Sequence, residues 1–306
     1  MLVQDHIYLV TGSSSGLGLA TARLLLQRGA YVAAFDLREA EEGVFAPHTV
    51  AKGGQDGEEQ NAKSAFTVGA PLPSGRGDGK ENKRENRVFF TTCDVGDESS
   101  VNAAITAVKR HWNGRRWGGV VHCGGVGMAG KTVGNDGKPF SFEVFQEVHR
   151  INLLGSFLIA SRVASILAQQ YTSSLSSSSS TKAPPQAQED QGVIILTSSV
   201  SATEGQMGQV AYGSSKAAVE GLVLPMARDL GRYGIRVMCL APSLFATSMG
   251  KNTSPKVKES LLATTLFPPR FGQAEEYAQL AVQVVENGYL NGGVIRIDGG
   301  SRMAKM

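Results

Sequence analysis

Short runs of apolar, mostly β-branched residues alternate along this chain with longer stretches in which apolar positions recur every three to four residues. The first pattern suits a strand covered on both faces, the second an amphipathic helix. Runs at 7–10, 31–35, 88–91, 119–122, 193–197, 235–240 and 294–297 predict seven strands. Helical spacing at 17–28, 99–112, 142–168, 212–230, 254–262 and 275–286 fills the intervals. Strands that alternate with helices form βαβ units, so the expected fold is α/β, a doubly wound parallel sheet of about seven strands with helices on both faces.

Two stretches carry neither pattern. Residues 46–87 are rich in Gly, Lys, Glu, Asp and Asn, and residues 172–192 contain Ser176 to Ser180 followed by Pro184 and Pro185. Such compositions cannot bury a core, and both are expected to be low-complexity insertions. The rest, about 240 residues, is a length that one α/β domain commonly occupies. The expectation is a single domain over residues 1–306.

Composition adds three exclusions. Hydrophobic residues make up 42% of the 306 positions and charged residues 19%, the balance of a soluble globular chain and not of a disordered or collagenous one. Thirty basic and 27 acidic residues leave a net charge of +3, too small and dispersed to imply a nucleic-acid partner. Uninterrupted apolar runs stay short of the roughly 18 residues of a membrane span. The three cysteines, Cys93, Cys123 and Cys239, are odd in number and embedded in apolar stretches, which suits reduced packing residues in an intracellular compartment better than bridges or a metal site. Ala304-Lys305-Met306 matches the size, charge and apolar end of a Ser-Lys-Leu peroxisomal address; mitochondria and cytoplasm stay open.

Glycine, at 37 residues, exceeds the usual share of about 7%, and the excess clusters beside apolar runs, so close backbone approaches are expected. The segment Thr11-Gly12-Ser13-Ser14-Ser15-Gly16-Leu17-Gly18 follows the first strand and opens a helix. In that context Gly12, Gly16 and Gly18, with Ser14 and Leu17, let backbone approach a pyrophosphate at the positive helix end, as in a Rossmann-type dinucleotide site. Asp36 ends the second strand, where a carboxylate accepts hydrogen bonds from the adenosine ribose and repels a 2′-phosphate, favouring NAD over NADP; Arg38, two residues on, works against that repulsion. Asp94 and Val95, after the third strand, are set to meet the adenine edge, and His122-Cys123-Gly124-Gly125, after the fourth, to line the cofactor.

Tyr212 and Lys216 are four residues apart in a helical pattern and so share a face. A phenol is a poor base near neutrality, but a neighbouring ammonium favours a phenolate and makes proton exchange with a substrate hydroxyl feasible. Ser199 lies just past the fifth strand, at the sheet edge where ligands bind in this architecture, and can hydrogen-bond a carbonyl oxygen or simply cap a loop; Ser198 and Ser201 are its neighbours. Asn152 shares a helical stripe with Phe145, Val148, Gly155 and Ile159, where its amide needs a partner, either a structural hydrogen bond or a water relay.

Together these residues resemble the classical short-chain dehydrogenase/reductase family, over the whole chain apart from the two insertions. The resemblance implies a catalytic tetrad of Asn152, Ser199, Tyr212 and Lys216. Tyr212 would be the general acid/base, Ser199 would hold the reacting oxygen, Lys216 would bind the nicotinamide ribose, and Asn152 would hold a relay water. It implies cofactor contacts at Gly12, Ser14, Gly16, Leu17, Gly18, Asp36, Asp94, Val95, Cys123, Gly124 and Thr247, besides Tyr212 and Lys216. Substrate contacts are implied at Ser199, Gln209 and Tyr212. The strings from Glu204 to Gln209, from Leu224 to Leu230 with Pro225 inside a helix, from Phe267 to Gly272 and from Leu290 to Arg296 are similar to those of the type-2 3-hydroxyacyl-CoA dehydrogenase group. That group implies an NAD-dependent homotetramer oxidising 3-hydroxyacyl-CoA in fatty acid metabolism, with hydroxysteroid oxidation or a non-catalytic scaffold as alternatives. His122 departs from the family's usual Asn, and Ser243 from its usual Gly after Pro242. The stretch 243–272 is expected to cover the substrate, with Leu244, Phe245, Met249, Leu261, Leu262, Leu266 and Phe267 around an acyl chain and Lys251, Lys256 and Lys258 toward coenzyme A phosphates.

Overall fold

The computed structural model describes residues 3–38, 45, 87–175, 186–247 and 262–302. Its strands are β1 (Ile7–Thr11), β2 (Tyr31–Asp36), β3 (Val88–Thr92), β4 (Trp117–His122), β5 (Gly192–Thr197), β6 (Ile235–Pro242) and β7 (Val294–Ile297). They form one sheet, ordered β3-β2-β1-β4-β5-β6-β7, and every pairing is parallel. The crossover direction reverses between β1 and β4, the topological switch point beyond whose strand ends ligands bind in open α/β sheets. All seven predicted strands are present, each within two residues of its apolar run.

The helices are α1 (Gly16–Gln27), α2 (Glu98–His111), α3 (Phe142–His149), α4 (Gly155–Leu175), α5 (Val210–Leu230) and α6 (Ala274–Glu286). One apolar layer packs Val101, Ile105, Ile159, Val163, Leu167, Val219 and Val223 of α2, α4 and α5 on one side of the sheet. The other packs Leu25 of α1 and Tyr277, Ala281 and Val285 of α6 on the opposite side. Helix ends carry the expected local chemistry. The Asp97 carboxylate accepts the Ser99 N–H at the start of α2, whose last turn holds Lys109, Arg110 and His111, cations that complement the helix dipole. Pro225 lies inside α5, as expected.

The stretch predicted as one helix over 142–168 is longer and interrupted. A π-helical turn, Arg150–Leu154, separates α3 from α4, and α4 runs on to Leu175. Phe142–Leu175 has the length and, at 1.7, the mean hydropathy to cross a membrane, although no uninterrupted apolar run revealed it. Half of that apolar window is buried in the fold, as in a core helix.

The insertion boundaries need correction. Residues 172–175 belong to α4, and the chain before β5 is tied down where Ala187 N–H donates to Arg232 O and Gln191 N–H to Gly234 O. Asp190 pairs at 2.9 Å with Arg236, 5% exposed, whose other donors reach the carbonyls of Val284, Val285 and Leu290. These hydrogen-bonding demands fix residues whose composition alone reads as irregular. Arg87 likewise belongs to the fold: its carbonyl accepts the Val32 N–H, and its guanidinium lies 4.5 Å from the centroid of the Tyr31 ring. The compact unit holding the sheet is Met1–Ala46 with Arg87–Met306, and the remaining stretch, Pro47–Asn86, lies outside the described residues. The helix expected at 254–262 also falls outside them, apart from Leu262.

Removing Asp190 leaves the Arg236 charge buried without its carboxylate, so Asp190→Ala is expected to lower the unfolding free energy by about 3 kcal/mol or more. Urea denaturation of the two proteins measures it, and an unchanged midpoint contradicts the assignment.

Candidate active site

The β1–α1 loop is built by close backbone approach. Gly12 has φ +64°, and a Cβ there would lie 3.1 Å from the Cys123 carbonyl and the Gly124 nitrogen at the end of β4. Gly16 has φ +52° and faces Thr247, whose Cγ2 would be 3.1 Å from an added Cβ. Gly18 lies so close beneath the loop that a Cβ would meet the Gly12 oxygen at 2.2 Å. Only glycine tolerates such positions. Together they bring the loop, the β4 end and Thr247 around one cleft at the switch point, at the start of α1. Leu17 packs against the α1/α6 apolar layer.

Asp36 is already in use within this cleft. Its Oδ2 accepts the Ser14 N–H at 2.9 Å and its Oδ1 the Arg38 N–H at 3.2 Å, while the Ser14 hydroxyl donates to Arg38 O at 3.2 Å. A carboxylate has about four lone-pair sites, so it holds the loop and retains acceptors for ribose hydroxyls. Asp94 takes the Gly96 N–H at 2.8 Å, and Val95 is buried.

Cys123 presents its backbone, not its thiol, to the glycine loop. Its backbone meets Gly12, but its thiol turns into the fold, 3.7 Å from Tyr277 Oη and 3.8 Å from Thr197 Oγ1. Burial pushes that thiol up to about 11. Cys93 and Cys239 are buried as well.

The four proposed catalytic residues come from three elements, the π-turn, the turn after β5 and α5, which meet at the carboxyl ends of β4 and β5. Lys216, one turn after Tyr212 on α5, is 5% exposed and holds its ammonium 5.8 Å from the Tyr212 ring centroid. Its Nζ donates to Thr197 O at 2.8 Å. Asn152 is wholly buried in the π-turn, where Oδ1 accepts the Val126 N–H at 2.9 Å and Nδ2 donates to Val126 O at 2.9 Å and Ser215 Oγ at 3.0 Å. Both amide protons are therefore committed to structural bonds, and the remaining capacity of the side chain is a lone pair on Oδ1. Gly125 sits where that oxygen and the lysine converge: a Cβ there would lie 3.1 Å from Asn152 Oδ1 and 3.3 Å from Lys216 Nζ.

Ser199 caps the short 3-10 turn Val200–Ala202 by accepting the Ser201 N–H at 3.2 Å, which leaves its hydroxyl proton for donation. Its neighbour Ser198 is committed elsewhere, to Lys216 O at 3.0 Å and Glu220 Oε1 at 2.9 Å. A groove of about 660 Å³ opens beside this cluster, lined by Lys131, Val133, Ser201, Met207, Gln209 and Ser214 among others. Tyr212 and Lys216 are not in its wall, so it adjoins the site instead of containing it. The Gln209 Oε1 atom is buried without a hydrogen-bond partner among the described residues.

On the far side, Phe245 is half-buried, edge-on to Tyr277 at 6.4 Å and over Gly272, so one face of its ring packs against the core. Leu266 and Phe267 are exposed, while Met249, Lys251, Lys256, Lys258 and Leu261 lie outside the described residues. Ser243 causes no strain in place of glycine: Asp5 is the only non-glycine with positive φ among the described residues.

Among the supports of the site, His122 packs at its strand end as its sequence context predicts, whereas most of the others were missed. His122 is buried, its Nδ1 2.8 Å from Thr11 Oγ1, which also accepts the Gly124 N–H at 2.9 Å. Thr197 Oγ1 donates to His122 O at 2.6 Å and meets Tyr277 Oη at 2.7 Å. Ser215, three residues after Tyr212, carried a signal in its helical spacing; Val126, Thr197 and Tyr277 carried none.

Short chain dehydrogenases are the family whose profile matches residues 77–258 of this chain, more than half its length. The chain belongs to that family and is an oxidoreductase of the NAD(H)- or NADP(H)-using kind. It is 34% identical over 302 residues to "3-hydroxyacyl-CoA dehydrogenase type-2" of Bos taurus, covering 98% of this chain and 97% of the relative. The protein of that name from Drosophila melanogaster is 35% identical over 303 residues, covering 99% of each. The crystal structure of 3-hydroxyacyl-CoA dehydrogenase type-2 from Mycobacterium avium superposes with a TM-score of 0.75 at 29% identity, covering 99% of this chain and 98% of that one.

Burial, aided by the Lys216 charge, drives the His122 imidazole down to about 3. In the unfolded chain the ring protonates below about 6.5, so acid favours unfolding. Its contribution is fully present above that value and is lost at up to about 1.4 kcal/mol per pH unit as pH falls toward 3. His122→Asn is expected to flatten the loss of stability between pH 7 and 5, read by urea unfolding at both; equal slopes for the two proteins contradict this.

Proposed function

We propose that this protein is an NAD-dependent dehydrogenase that interconverts 3-hydroxyacyl-CoA and 3-ketoacyl-CoA. The observation that carries the reading is the convergence of Lys216 Nζ and Asn152 Oδ1 at Gly125, with Tyr212 one helical turn from the lysine, at the inner end of a glycine-built cleft. The substrate class is supported by similarity along almost the whole chain to dehydrogenases named for it.

The dinucleotide, when bound, supplies the hydride acceptor and donor. Gly12, Ser14, Gly16, Leu17 and Gly18 would hold its pyrophosphate, Asp36 the adenosine ribose, Asp94 and Val95 the adenine edge, and Gly124, Thr247 and the Cys123 backbone the nicotinamide side. Tyr212 carries the proton to and from the substrate oxygen. Ser199 donates its hydroxyl proton to that same oxygen, so charge developing there meets a donor already oriented by the cap it makes. Lys216 holds the nicotinamide ribose and keeps a positive charge beside the phenol. Asn152 offers its remaining Oδ1 lone pair to a relay water next to the lysine. Gln209, with its buried and unpartnered Oε1, is the proposed further substrate contact.

The reading extends to a homotetramer, supported by large apolar side chains left exposed on α3, the π-turn, α4 and α5: Phe142, Leu154, Phe157, Val210 and Leu224. The proposed compartment is mitochondrial or peroxisomal, with the cytoplasm as the alternative. The address tripeptide Ala304-Lys305-Met306 lies outside the described residues.

NADH absorbance on a panel of 3-hydroxyacyl-CoAs and hydroxysteroids tests the substrate. Turnover of the thioesters is expected, whereas oxidation of the steroids alone moves the assignment to a hydroxysteroid dehydrogenase. Tyr212→Phe should cut turnover by a factor on the order of 10² or more with NADH binding retained, and near-normal turnover rejects the proton-carrier role. With the same substrates kcat/KM should be higher for NAD than for NADP; the opposite order rejects the Asp36 reading.

A further inference from the structure

The turn after β3 and the π-turn of the long helix meet at one guanidinium. Arg150 Nη1 lies 3.2 Å from Asp94 Oδ2, while its Nε and Nη2 donate to the two oxygens of Glu147 at 2.7 and 2.8 Å. The other Asp94 oxygen holds the Gly96 N–H. Gly96 itself has no positive φ, so its backbone does not require glycine. The Arg150 guanidinium instead fills the space beside it: a Cβ on Gly96 would lie 2.2 Å from Nη1 and 2.8 Å from Cζ and would displace the guanidinium. At the other end of the π-turn, Gly155 packs on the same segment, and its added Cβ would lie 3.0 Å from Val95 Cγ2 and 3.1 Å from Val95 O. The turn Asp94-Val95-Gly96 is thus gripped at both ends of the helical turn in which Asn152 sits.

We infer that Arg150 is a positioning residue that locks the adenine-side turn of the cleft onto the π-turn carrying Asn152, coupling cofactor binding at one end of the site to proton handling at the other. The inference rests on the dehydrogenase reading for the roles of Asp94, Val95 and Asn152. A contribution to global stability is not what retains the residue. Arg150 and Asp94 are about one-third exposed, and ion pairs of that kind contribute little to folding. What the guanidinium supplies is geometry: a planar fork that reaches Glu147 with one edge and Asp94 with the other, across a residue that has no side chain.

A double-mutant cycle on the full chain tests this. Arg150→Ala, Gly96→Ala and the double variant are compared with the parent for NADH dissociation constant by fluorescence, for kcat, and for urea midpoint. Arg150→Ala is expected to raise the NADH dissociation constant on the order of fivefold and to lower kcat, with the midpoint unchanged. Gly96→Ala, which expels the guanidinium, should do the same in the parent and add nothing in the Arg150→Ala background, because the two changes break one contact. Arg150→Lys, which keeps the charge but loses the fork, should recover NADH binding only in part. Additive losses in the cycle, or a shifted midpoint with an unchanged dissociation constant, overturn the inference. Failure of the parent to bind NADH overturns the dehydrogenase reading instead, and shows before any variant is made.

Discussion

A buried ammonium is the constraint around which the carboxyl edge of this sheet is arranged. Lys216 is almost fully enclosed, and a buried charge is costly unless it is hydrogen-bonded. The Thr197 carbonyl takes one proton at 2.8 Å, and this requires β5 to end where it does. A side chain on Gly125 would press on both, its Cβ 3.1 Å from Asn152 Oδ1 and 3.3 Å from the ammonium. Asn152 in turn is held by both backbone groups of Val126 and by Ser215 from the lysine's own helix, so amide and ammonium cannot move independently. His122, close enough to feel the same charge, stays neutral and packs as a ring against Thr11.

The second organising feature is the close contact between loops that are remote in sequence. Thr11 joins the β1 end to Gly124 after β4, Asp36 joins the β2 end to Ser14 of the glycine loop, and Thr197 joins β5 to the His122 carbonyl and to Tyr277 on α6. These bonds run across the strand ends at the level where a dinucleotide would lie. The strand-end loops are therefore fixed relative to one another by side-chain hydrogen bonds and not by the strands alone. Arg150 extends the same pattern outward, with the turn Asp94-Val95-Gly96 held by a side chain from the π-turn that carries Asn152.

Much of this was legible in the chain because it depends on local patterns. Apolar runs marked all seven strands, since a strand covered on both faces needs a continuous apolar segment whatever lies around it. The spacing of Gly12, Gly16 and Gly18, and of Tyr212 and Lys216, was readable for a similar reason: one loop or one helical turn sets the distance. Residues 187–191 were misread because their order comes from partners far away, such as Arg232, Gly234 and Arg236; the α4 end was misread because its Thr and Ser residues look irregular yet continue the helix, with the Thr172 and Ser174 hydroxyls donating to the carbonyls of Ala168 and Tyr171.

By itself, then, the sequence determined the element order, the parallel doubly wound sheet, the glycine loop and the identity of the residues at the strand ends, all properties of short-range periodicity and residue type. Only the tertiary structure decided which way those residues face and what they are bound to. The π-turn at Arg150–Leu154 has no signature in the apolar spacing, and it is what buries the Asn152 amide against Val126. The Cys123 thiol turns into the fold, Phe245 packs against the core, and a guanidinium from 54 residues away passes over Gly96. Each of these depends on the space left by residues distant along the chain, a quantity that exists only once the layers have packed.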